Sequence, residues 1–388
     1  MIKWTATVVD VKYEKDLINV VVSPDNFYPG GGGQPCDYGK IRNNNFEGEV
    51  FRIEKKDYSV LKVKPVSGKL KTNDIVECIV DEKRRKRLTQ MHSGQHAFYK
   101  HLEIVKKIKG EEISVEKVDI NEVESSLYVK ASSLTWNDLF RAEDALNEMI
   151  KEGRPVYVHN IRKEEIPKYP ELRIKTERIK SDVIRVVEIK DFDWSACSGT
   201  HVANLSEIKN FIVSRFRSAG NNEFEIKFRV DDSSYVAKLS QEIRVISSMV
   251  NEEPEKLGNY IKKIKDENER LKGQINELIK TAKIEFDSQR VGDITLYSKH
   301  LENFDNKRFV QIGNSALQEK SIVLVTNQEE NLKYAVFCSP DSGRNAAEII
   351  KRINIKLNGK GGGSNSFGMG AVNATREELL KEFMLIIS

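Results

Sequence analysis

Two short stretches of the chain each carry a pair of side chains that commonly bind metal ions. His92 and His96 are four positions apart, and so are Cys197 and His201. On a helix that spacing puts both side chains of a pair on one face, with Cβ atoms about 6 Å apart. Three imidazole nitrogens and one thiolate suit tetrahedral Zn²⁺. The four residues therefore predict a zinc site, to which the rest of the chain is expected to bring a substrate.

Other interpretations of the same residues stay open. Cys197 is the only cysteine beside a histidine, so Cys197 and His201 could form a nucleophilic pair. Ser93 stands where a zinc peptidase helix has Glu, which disfavours peptidase chemistry. Four protein ligands normally close a zinc site and make it structural. A catalytic metal would then need a fifth position or a ligand exchange; otherwise it only shapes the pocket and orients the substrate.

Composition bounds the class of protein. The chain has 388 residues, 39% of them hydrophobic and 31% charged, which suits several domains with their own cores. It lacks an 18-residue apolar run, a signal-peptide pattern and a disulfide framework, because its four cysteines are scattered. We therefore expect a cytoplasmic protein without a membrane partner. The net charge of +4 means that any nucleic-acid surface must come from local clustering of charge.

Residues 1–80 predict a small β-barrel, because short runs of β-branched residues follow one another without helices. The expected strands are Thr5–Val11, Leu17–Val22, Gly48–Ile53, Ser59–Lys64 and Ile75–Val80. Phe27–Pro35 breaks this pattern with four consecutive glycines. Bare glycine backbone can approach a ligand closely, although an unusual turn or bulge is the alternative.

Residues 81–230 predict an α+β domain that holds both ligand pairs. Asp81 opens a helix, and five cations follow at Lys83–Arg87. A solvated helix face is one explanation of these cations. Phosphate contact is the other, because Arg85 lies roughly 10 Å along the helix axis from His92. Thr135 and Asp138 make an approximate capping box for a second helix.

The second helix of this domain is expected to end near Gly153. Strands are expected at Val183–Ile189, Ile208–Phe216 and Phe224–Val230, with a hairpin turn between the last two.

Residues 231–290 predict helices with an apolar seam that alternates steps of three and four. The seam consists of Ile261, Ile264, Asn268, Leu271, Ile275, Leu278 and Ala282. An intramolecular helical hairpin would explain it, and so would a homodimer through residues 255–285 whose register is fixed by Asn268.

Residues 291–388 predict a small α/β domain. Strands are expected at Ser321–Thr326 and Lys333–Cys338, and helices at Asn345–Leu357 and Ala374–Ile387. Between the helices, Gly359–Gly370 predicts a glycine-rich loop whose N–H groups meet a phosphate. The whole chain thus has the fold class of an α+β multidomain protein.

Three motifs together resemble one family. Phe27–Pro35, His92–His96 and Cys197–His201 resemble, in order, the editing domain of alanyl-tRNA synthetases. The match is closest to free-standing AlaX-type alanyl-tRNA editing proteins of the long form. The Gly359–Gly370 segment is similar to the C-terminal domain that those synthetases share with DHH-type phosphoesterases. The resemblance implies a second domain like that of threonyl- and alanyl-tRNA synthetases. It also implies editing without charging, because residues for an aminoacylation module are absent.

The resemblance implies hydrolysis of the ester in tRNA(Ala) that carries serine or glycine. It makes His92, His96, Cys197 and His201 the Zn²⁺ ligands, with Cys197, His92 and Gln34 catalytic. Gly32, Gly33 and Gln34 would line the amino-acid pocket, and Thr200, Arg84, Arg85 and Lys360 would contact the tRNA substrate. The metal is expected to orient the amino acid or terminal ribose while a bound water attacks the carbonyl. A non-catalytic, zinc-stabilised tRNA-binding dimer is the rival function; phosphoester hydrolysis lacks its Asp-His-His cluster.

Overall fold

The computed structural model describes residues 2–174, 181–281 and 284–388. The chain divides into two compact units, Met1–Gln241 and Glu242–Ser388. Each unit has its own apolar cores, as the composition predicts. Among the described helices, none has the length and apolarity needed to cross a bilayer.

The first unit begins with the predicted barrel, which is confirmed. Its strands are β1 (Lys3–Glu14), β2 (Leu17–Ser23), β3 (Gly39–Asn43), β4 (Phe46–Lys55), β5 (Ser59–Gly68) and β6 (Ile75–Val80). They close in the order β1-β2-β5-β4-β3-β6. Alternate residues such as Ile18 and Val20 point inward and are fully buried. Strand β3 escaped prediction because it is short and holds a single apolar residue, Ile41.

A long helix, α1 (Glu82–Ile108), follows the barrel directly. Asp81 caps it as predicted, because its side chain accepts a hydrogen bond from Arg84 N. The middle of α1 is buried on nearly every side, with Leu88 and Phe98 fully inside the main core of the unit. The residues that α1 carries toward this core are therefore held in fixed positions.

Two four-stranded sheets and a second helix complete the first unit. The elements are β7 (Ile113–Asp119), β8 (Ser125–Ala131), α2 (Trp136–Glu152), β9 (Val156–Arg162), β10 (Leu172–Arg173), β11 (Val183–Ile189), β12 (Asp193–Ala196), β13 (Phe211–Gly220) and β14 (Glu223–Val230). One sheet has the order β13-β14-β8-β7 and the other β10-β12-β11-β9. The predicted capping box of α2 is confirmed, and the helix ends at Gly153 in the left-handed conformation.

The predicted hairpin exists, but its strands differ from the predicted ones. β13 begins at Phe211 rather than Ile208, because Leu205–Ile208 forms a 3₁₀ turn. The strands run on to Gly220 and from Glu223, so the turn shrinks to two residues.

Two helices connect to the remaining sheet: α3 (Ser233–Val250) and α4 (Leu257–Thr281). The prediction of helix to residue 290 is wrong, since Asp287–Val291 is a strand. The α4 seam is exposed, with Ile261 58% and Leu278 66% accessible. Ala282, the last seam position, lies outside the described residues. In α3 no residue is buried either.

The second unit is built on one six-stranded sheet. Its elements are β15 (Asp287–Val291), β16 (Ile294–Glu302), α5 (Asn306–Ser315), β17 (Ser321–Gln328), β18 (Leu332–Cys338), α6 (Ala346–Lys356), β19 (Lys360–Gly363), β20 (Phe367–Val372) and α7 (Arg376–Ile387). The order is β15-β16-β17-β18-β20-β19. Ile322 of β17 packs in a core with α6 and α7, whereas Val323 packs in a second core with α5. The sheet is thus covered on both faces, as expected for a layered α/β domain.

The glycine-rich stretch of this unit is a hairpin rather than the predicted loop. β19 pairs with β20 through Gly361 and Gly370 and forms the edge of the sheet. A Cβ at Gly363 would lie 2.3 Å from Gly368 Cα, so the two strands approach too closely for a side chain there. Five of the ten residues in the two strands are glycine, so the alternation of apolar and polar side chains that marks a strand is absent from the sequence.

Candidate metal centre

The four predicted ligands meet inside the first unit. His92, His96, Cys197 and His201 offer ligand atoms that all lie within 4.8 Å of one another. Cys197 Sγ is 3.5 Å from His92 Nε2 and 3.4 Å from His201 Nε2. The three imidazole rings have centroids 4.6 to 5.0 Å apart. Residues more than a hundred positions apart therefore form one cluster.

Hydrogen bonds at the far side of each ring orient the imidazoles. His92 Nδ1 lies 2.8 Å from Gln34 Oε1, an atom that can only accept. Nδ1 of His92 must therefore carry the proton, which leaves the Nε2 lone pair directed at the cluster. Ser195 Oγ contacts Nδ1 of His96 at 2.8 Å, and Ser93 Oγ contacts Nδ1 of His201 at 3.1 Å. Such partners on the outer nitrogen are typical of histidines that bind metal.

Cys197 lies in an irregular loop after β12, so the helix suggested by its spacing to His201 is absent. Gly199 N donates to Cys197 Sγ at 3.3 Å, which favours a thiolate at that position. A Cβ on Gly199 would lie 2.0 Å from His92 Cε1, so only glycine fits between the loop and the imidazole. Val202 N donates to Ser93 Oγ and fixes the loop to α1.

Burial sets the protonation of the free ligands. It lowers the pKa of His92 to about 4 and holds the pKa of His96 and His201 well below the usual value. The imidazoles are thus neutral at pH 7, as metal ligands must be. Burial also raises the pKa of the Cys197 thiol. A bound cation would reverse that shift, since metals deprotonate a coordinating thiol.

The geometry fits zinc. Tetrahedral Zn²⁺ with bonds near 2.3 Å to sulfur and 2.0 Å to nitrogen places its ligand atoms roughly 3.5 Å apart. The two measured separations from sulfur to nitrogen match that value. The donor set contains one soft sulfur and three imidazole nitrogens, which excludes Ca²⁺ and Mg²⁺ as preferred ions.

The glycine-rich loop between β2 and β3 lies against the cluster. Gly30, Gly31, Gly32 and Gly33 all have positive φ. A Cβ on Gly32 would be 3.5 Å from both Cys197 Sγ and His92 Cε1. Gly33 has φ +81° and no room for a side chain, because a Cβ would lie 2.4 Å from Val118 O. The loop thus brings exposed main chain to the edge of the cluster, where pocket lining by Gly32 and Gly33 stays a prediction.

Gln34 and Thr200 form one network behind His92. Besides His92, Gln34 Oε1 accepts from Thr200 N at 3.0 Å, and Gln34 Nε2 donates to Thr200 Oγ1 at 2.8 Å. Thr200 Oγ1 also lies 2.6 Å from Thr89 Oγ1. The Gln34 side chain is 3% exposed. The structure therefore gives Gln34 and Thr200 positioning contacts, and their predicted catalytic and substrate-binding roles stay predictions.

The predicted phosphate ligands Arg84 and Arg85 make intramolecular bonds. Arg84 donates to Glu122 Oε1 at 2.8 Å and to Cys36 O at 2.6 Å. Arg85 binds both carboxylate oxygens of Asp37, which is 1% exposed. These bonds fix the glycine-rich loop to α1 and favour a structural role. Phosphate contact by the two arginines stays a prediction.

The sequence reasoning missed several residues at the site. Ser195, in β12, lies two positions before Cys197, and this proximity in sequence is the signal that could have found it. Thr89 lies on α1 one turn before His92, but nothing in the sequence pairs it with Thr200. Arg185 carries no local signal, whereas Tyr28 lies within the Phe27–Pro35 motif but was given no role of its own. Lys360 is exposed at the start of β19 in the second unit. Its predicted contact with the substrate stays a prediction.

Comparison with known proteins agrees with the motifs. Residues 184–223 match the family described as the threonyl and alanyl tRNA synthetase second additional domain. The chain is 29% identical to the alanyl-tRNA editing protein AlaX-L of Pyrococcus horikoshii, over 96% of this chain and 93% of that protein. The resemblance to alanyl-tRNA editing proteins is thereby confirmed.

Other proteins match this chain over only part of their own length or over only part of this chain. The alanine–tRNA ligase of Endomicrobium trichonymphae is 26% identical over 90% of this chain and 42% of the ligase. This chain thus spans less than half the length of that ligase. The C-Ala domain of alanyl-tRNA synthetase from Aquifex aeolicus is 22% identical, covering 26% of this chain and 98% of that domain. Its TM-score of 0.25 is too low to inform on the fold.

Replacing Gln34 by Ala should weaken zinc binding by roughly 10- to 100-fold, because His92 loses the acceptor that orients its ring. Gln34→Glu should stay near wild type, since a carboxylate oxygen can accept the same two hydrogen bonds. Competition with a chromophoric chelator measures both zinc affinities. Equal affinities of wild type and Gln34→Ala would contradict this role for the amide.

Replacing Arg85 by Ala should lower the free energy of unfolding of the first unit by about 3 kcal/mol, because buried Asp37 is left unpaired. Urea denaturation followed by tryptophan fluorescence measures the change. Lys86→Ala removes the exposed neighbouring cation and should stay within about 0.5 kcal/mol of wild type. Similar stability of both variants would argue against the anchoring role.

Proposed function

We propose that this chain, a relative of the alanyl-tRNA editing proteins over nearly its whole length, is an aminoacyl-tRNA hydrolase that deacylates mischarged tRNA(Ala). The observation that carries the proposal is the convergence of three imidazoles and one sulfur beside an exposed glycine-rich loop. Glycine backbone permits the close approach of a ligand, which a closed structural zinc site does not require. The chain would act in trans and would not charge tRNA itself.

Serine, and after it glycine, is the amino acid that such a site would remove. Alanine and serine differ by one hydroxyl, and an apolar charging pocket rejects that hydroxyl poorly. An editing site can provide a partner for the hydroxyl, so that alanine leaves the partner unpaired at a cost of about 1–3 kcal/mol. Thr89 and Thr200 carry hydroxyl groups near His92, and the serine hydroxyl would join the hydrogen bond that these two groups share.

The proposed reaction is ester hydrolysis. Water adds to the carbonyl carbon, the bond to the ribose oxygen breaks, and the ribose oxygen takes a proton, which yields free amino acid and uncharged tRNA. His92, His96, Cys197 and His201 would hold Zn²⁺, which when bound supplies a Lewis acid that orients the ester or the terminal ribose. Gln34 keeps the His92 ring in place. Because the aminoacyl ester is already labile, positioning of a water would supply most of the rate enhancement.

The second unit would contact the tRNA body. A surface cavity of about 630 Å³ lies between α6 and β19, with Lys351 and Lys360 in its lining. Both lysines are exposed and suit phosphate groups. This assignment keeps the predicted role of Lys360 but moves it from a loop to the start of an edge strand.

We propose that the protein acts in the cytoplasm, because its proposed substrate is a charged tRNA. Charged tRNA is used there, and the four cysteines are free, which agrees with a reducing compartment. The predicted domains 1–80, 81–230, 231–290 and 291–388 would then divide the work into pocket loop, metal site, dimerisation and tRNA binding.

Purified protein should deacylate Ser-tRNA(Ala) faster than Ala-tRNA(Ala), and Cys197→Ala should abolish this activity together with zinc content. Deacylation of Ser-, Gly- and Ala-tRNA(Ala), with and without chelator, measures the activity, and elemental analysis measures the metal. Cys36→Ala is the control, because it removes a nearby thiol that contributes no ligand.

Two outcomes would overturn the proposal. Full activity of Cys197→Ala would remove the metal site from the reaction. Wild-type protein that binds tRNA in a gel shift and leaves the ester intact would instead establish the rival function, a zinc-stabilised tRNA-binding protein.

We also propose a homodimer through the α4 seam, which is supported by exposed apolar residues in heptad spacing. Leu271→Arg should convert the dimer to a monomer, because a charge would replace an apolar seam residue. Sedimentation at micromolar concentration measures the state. Asp266→Arg, on the opposite helix face, should stay dimeric, and a monomeric wild type would contradict the proposal.

A further inference from the structure

One arginine at the metal cluster has no role so far. Arg185 lies in the middle of β11, and Cys197 N donates to its backbone oxygen at 3.1 Å. The side chain of Arg185 contacts Cys197 as well, because Arg185 Nη1 donates to Cys197 O at 2.8 Å. The guanidinium is thus held at the main chain of a predicted metal ligand.

The charge of Arg185 faces the cluster and the glycine-rich loop. Burial is the main cause of the low pKa of His92, and the charge of Arg185 adds to it. Burial likewise raises the pKa of Tyr28 in the glycine-rich loop, and Arg185 opposes that shift. The geometry agrees, because Arg185 is hydrogen-bonded to Cys197 O, and a Cβ on Gly32 of the loop would lie 3.5 Å from Cys197 Sγ.

No carboxylate among the described residues forms an ion pair with Arg185. Its neighbour Arg173 differs, since it binds both oxygens of Asp193 at 2.8 and 2.5 Å. Arg185 is partly exposed, so the remaining N–H donors of its guanidinium reach solvent. Such a guanidinium is a fork of donors that matches the oxygens of a phosphate.

We propose that Arg185 binds the phosphodiester that joins the last two nucleotides of the substrate tRNA. This inference rests on the proposed function, because it takes the substrate to be an aminoacyl ester on the terminal ribose. The ester and this phosphodiester are attached to the same sugar. In the proposed complex the terminal ribose therefore lies between the cluster, which contacts the ester, and the guanidinium beside Cys197, which contacts the phosphodiester.

The same guanidinium could in principle serve the oxyanion that forms when water attacks the ester. A substrate with a neutral terminal linkage separates the two. Ser-tRNA(Ala) is prepared with either a phosphodiester or an uncharged methylphosphonate between the last two nucleotides. Single-turnover deacylation then gives kcat/KM for the wild type, Arg185→Ala and Arg185→Lys on both substrates.

For the wild type, the neutral linkage should lower kcat/KM roughly 10-fold, the size expected for one charge-assisted contact. Arg185→Ala should lose about the same factor on the normal substrate and should show no further loss on the neutral one. Arg185→Lys should recover part of the sensitivity to the linkage, because it keeps the charge without the fork of donors.

Arg162→Ala is the matched control, because it removes an exposed arginine from the neighbouring strand β9. It should keep the full sensitivity to the neutral linkage. Zinc content and thermal unfolding of each variant show whether the cluster and the fold are intact. Should Arg185→Ala not fold, Arg185→Gln replaces it in the same comparison.

A loss by Arg185→Ala that is equal on both substrates would overturn the inference, since it would assign the arginine to the oxyanion or to structure. Wild-type activity that is indifferent to the linkage would overturn it as well. Failure of the proposed function is distinguishable, because the wild type would then deacylate neither substrate.

Discussion

One buried amide oxygen joins three parts of the chain that are far apart in sequence. Gln34 Oε1, in the loop between two barrel strands, accepts from the His92 ring on α1 and from the main chain at Thr200. Each of these three parts of the chain is held by close packing. Gly33 has no room for a side chain beside Val118, and Gly199 has none beside the imidazole of His92. His92 itself is buried. The direction of the His92 lone pair depends on this junction, and so does the shape of the cluster.

The cluster of four side chains and the barrel were predictable from sequence for chemical reasons. Few residue types bind zinc, so two pairs at a spacing of four positions pointed to His92 and His201 as candidate ligands without knowledge of the fold. The barrel strands carry β-branched residues in alternation, which is a local signal. The helices were predictable too, since Asp81 and Thr135 cap them with side chains that the sequence shows.

The contacts that orient the ligands were not predictable, because they join residues without any local pattern. The spacing of Cys197 and His201 would suit a helix, yet this stretch is a loop in which Val202 N donates to Ser93 Oγ and Thr200 N donates to Gln34 Oε1. The cations at the start of α1 suggested phosphate contact, yet Arg85 binds Asp37, a residue 48 positions earlier in the chain. The strand Lys360–Gly363 consists of one lysine and three glycines, so the sequence shows no alternation of apolar and polar side chains there.

The loop that carries Gln34 belongs to the barrel, although the imidazoles belong to the next part of the chain. A boundary drawn at residue 80 therefore separates two halves of one candidate metal centre rather than two independent modules. If recombination exchanged the barrel alone, the new barrel would need the amide of Gln34, the four glycines before it and Asp37 to keep these contacts. The barrel and α1 are for this reason expected to be inherited as a single block.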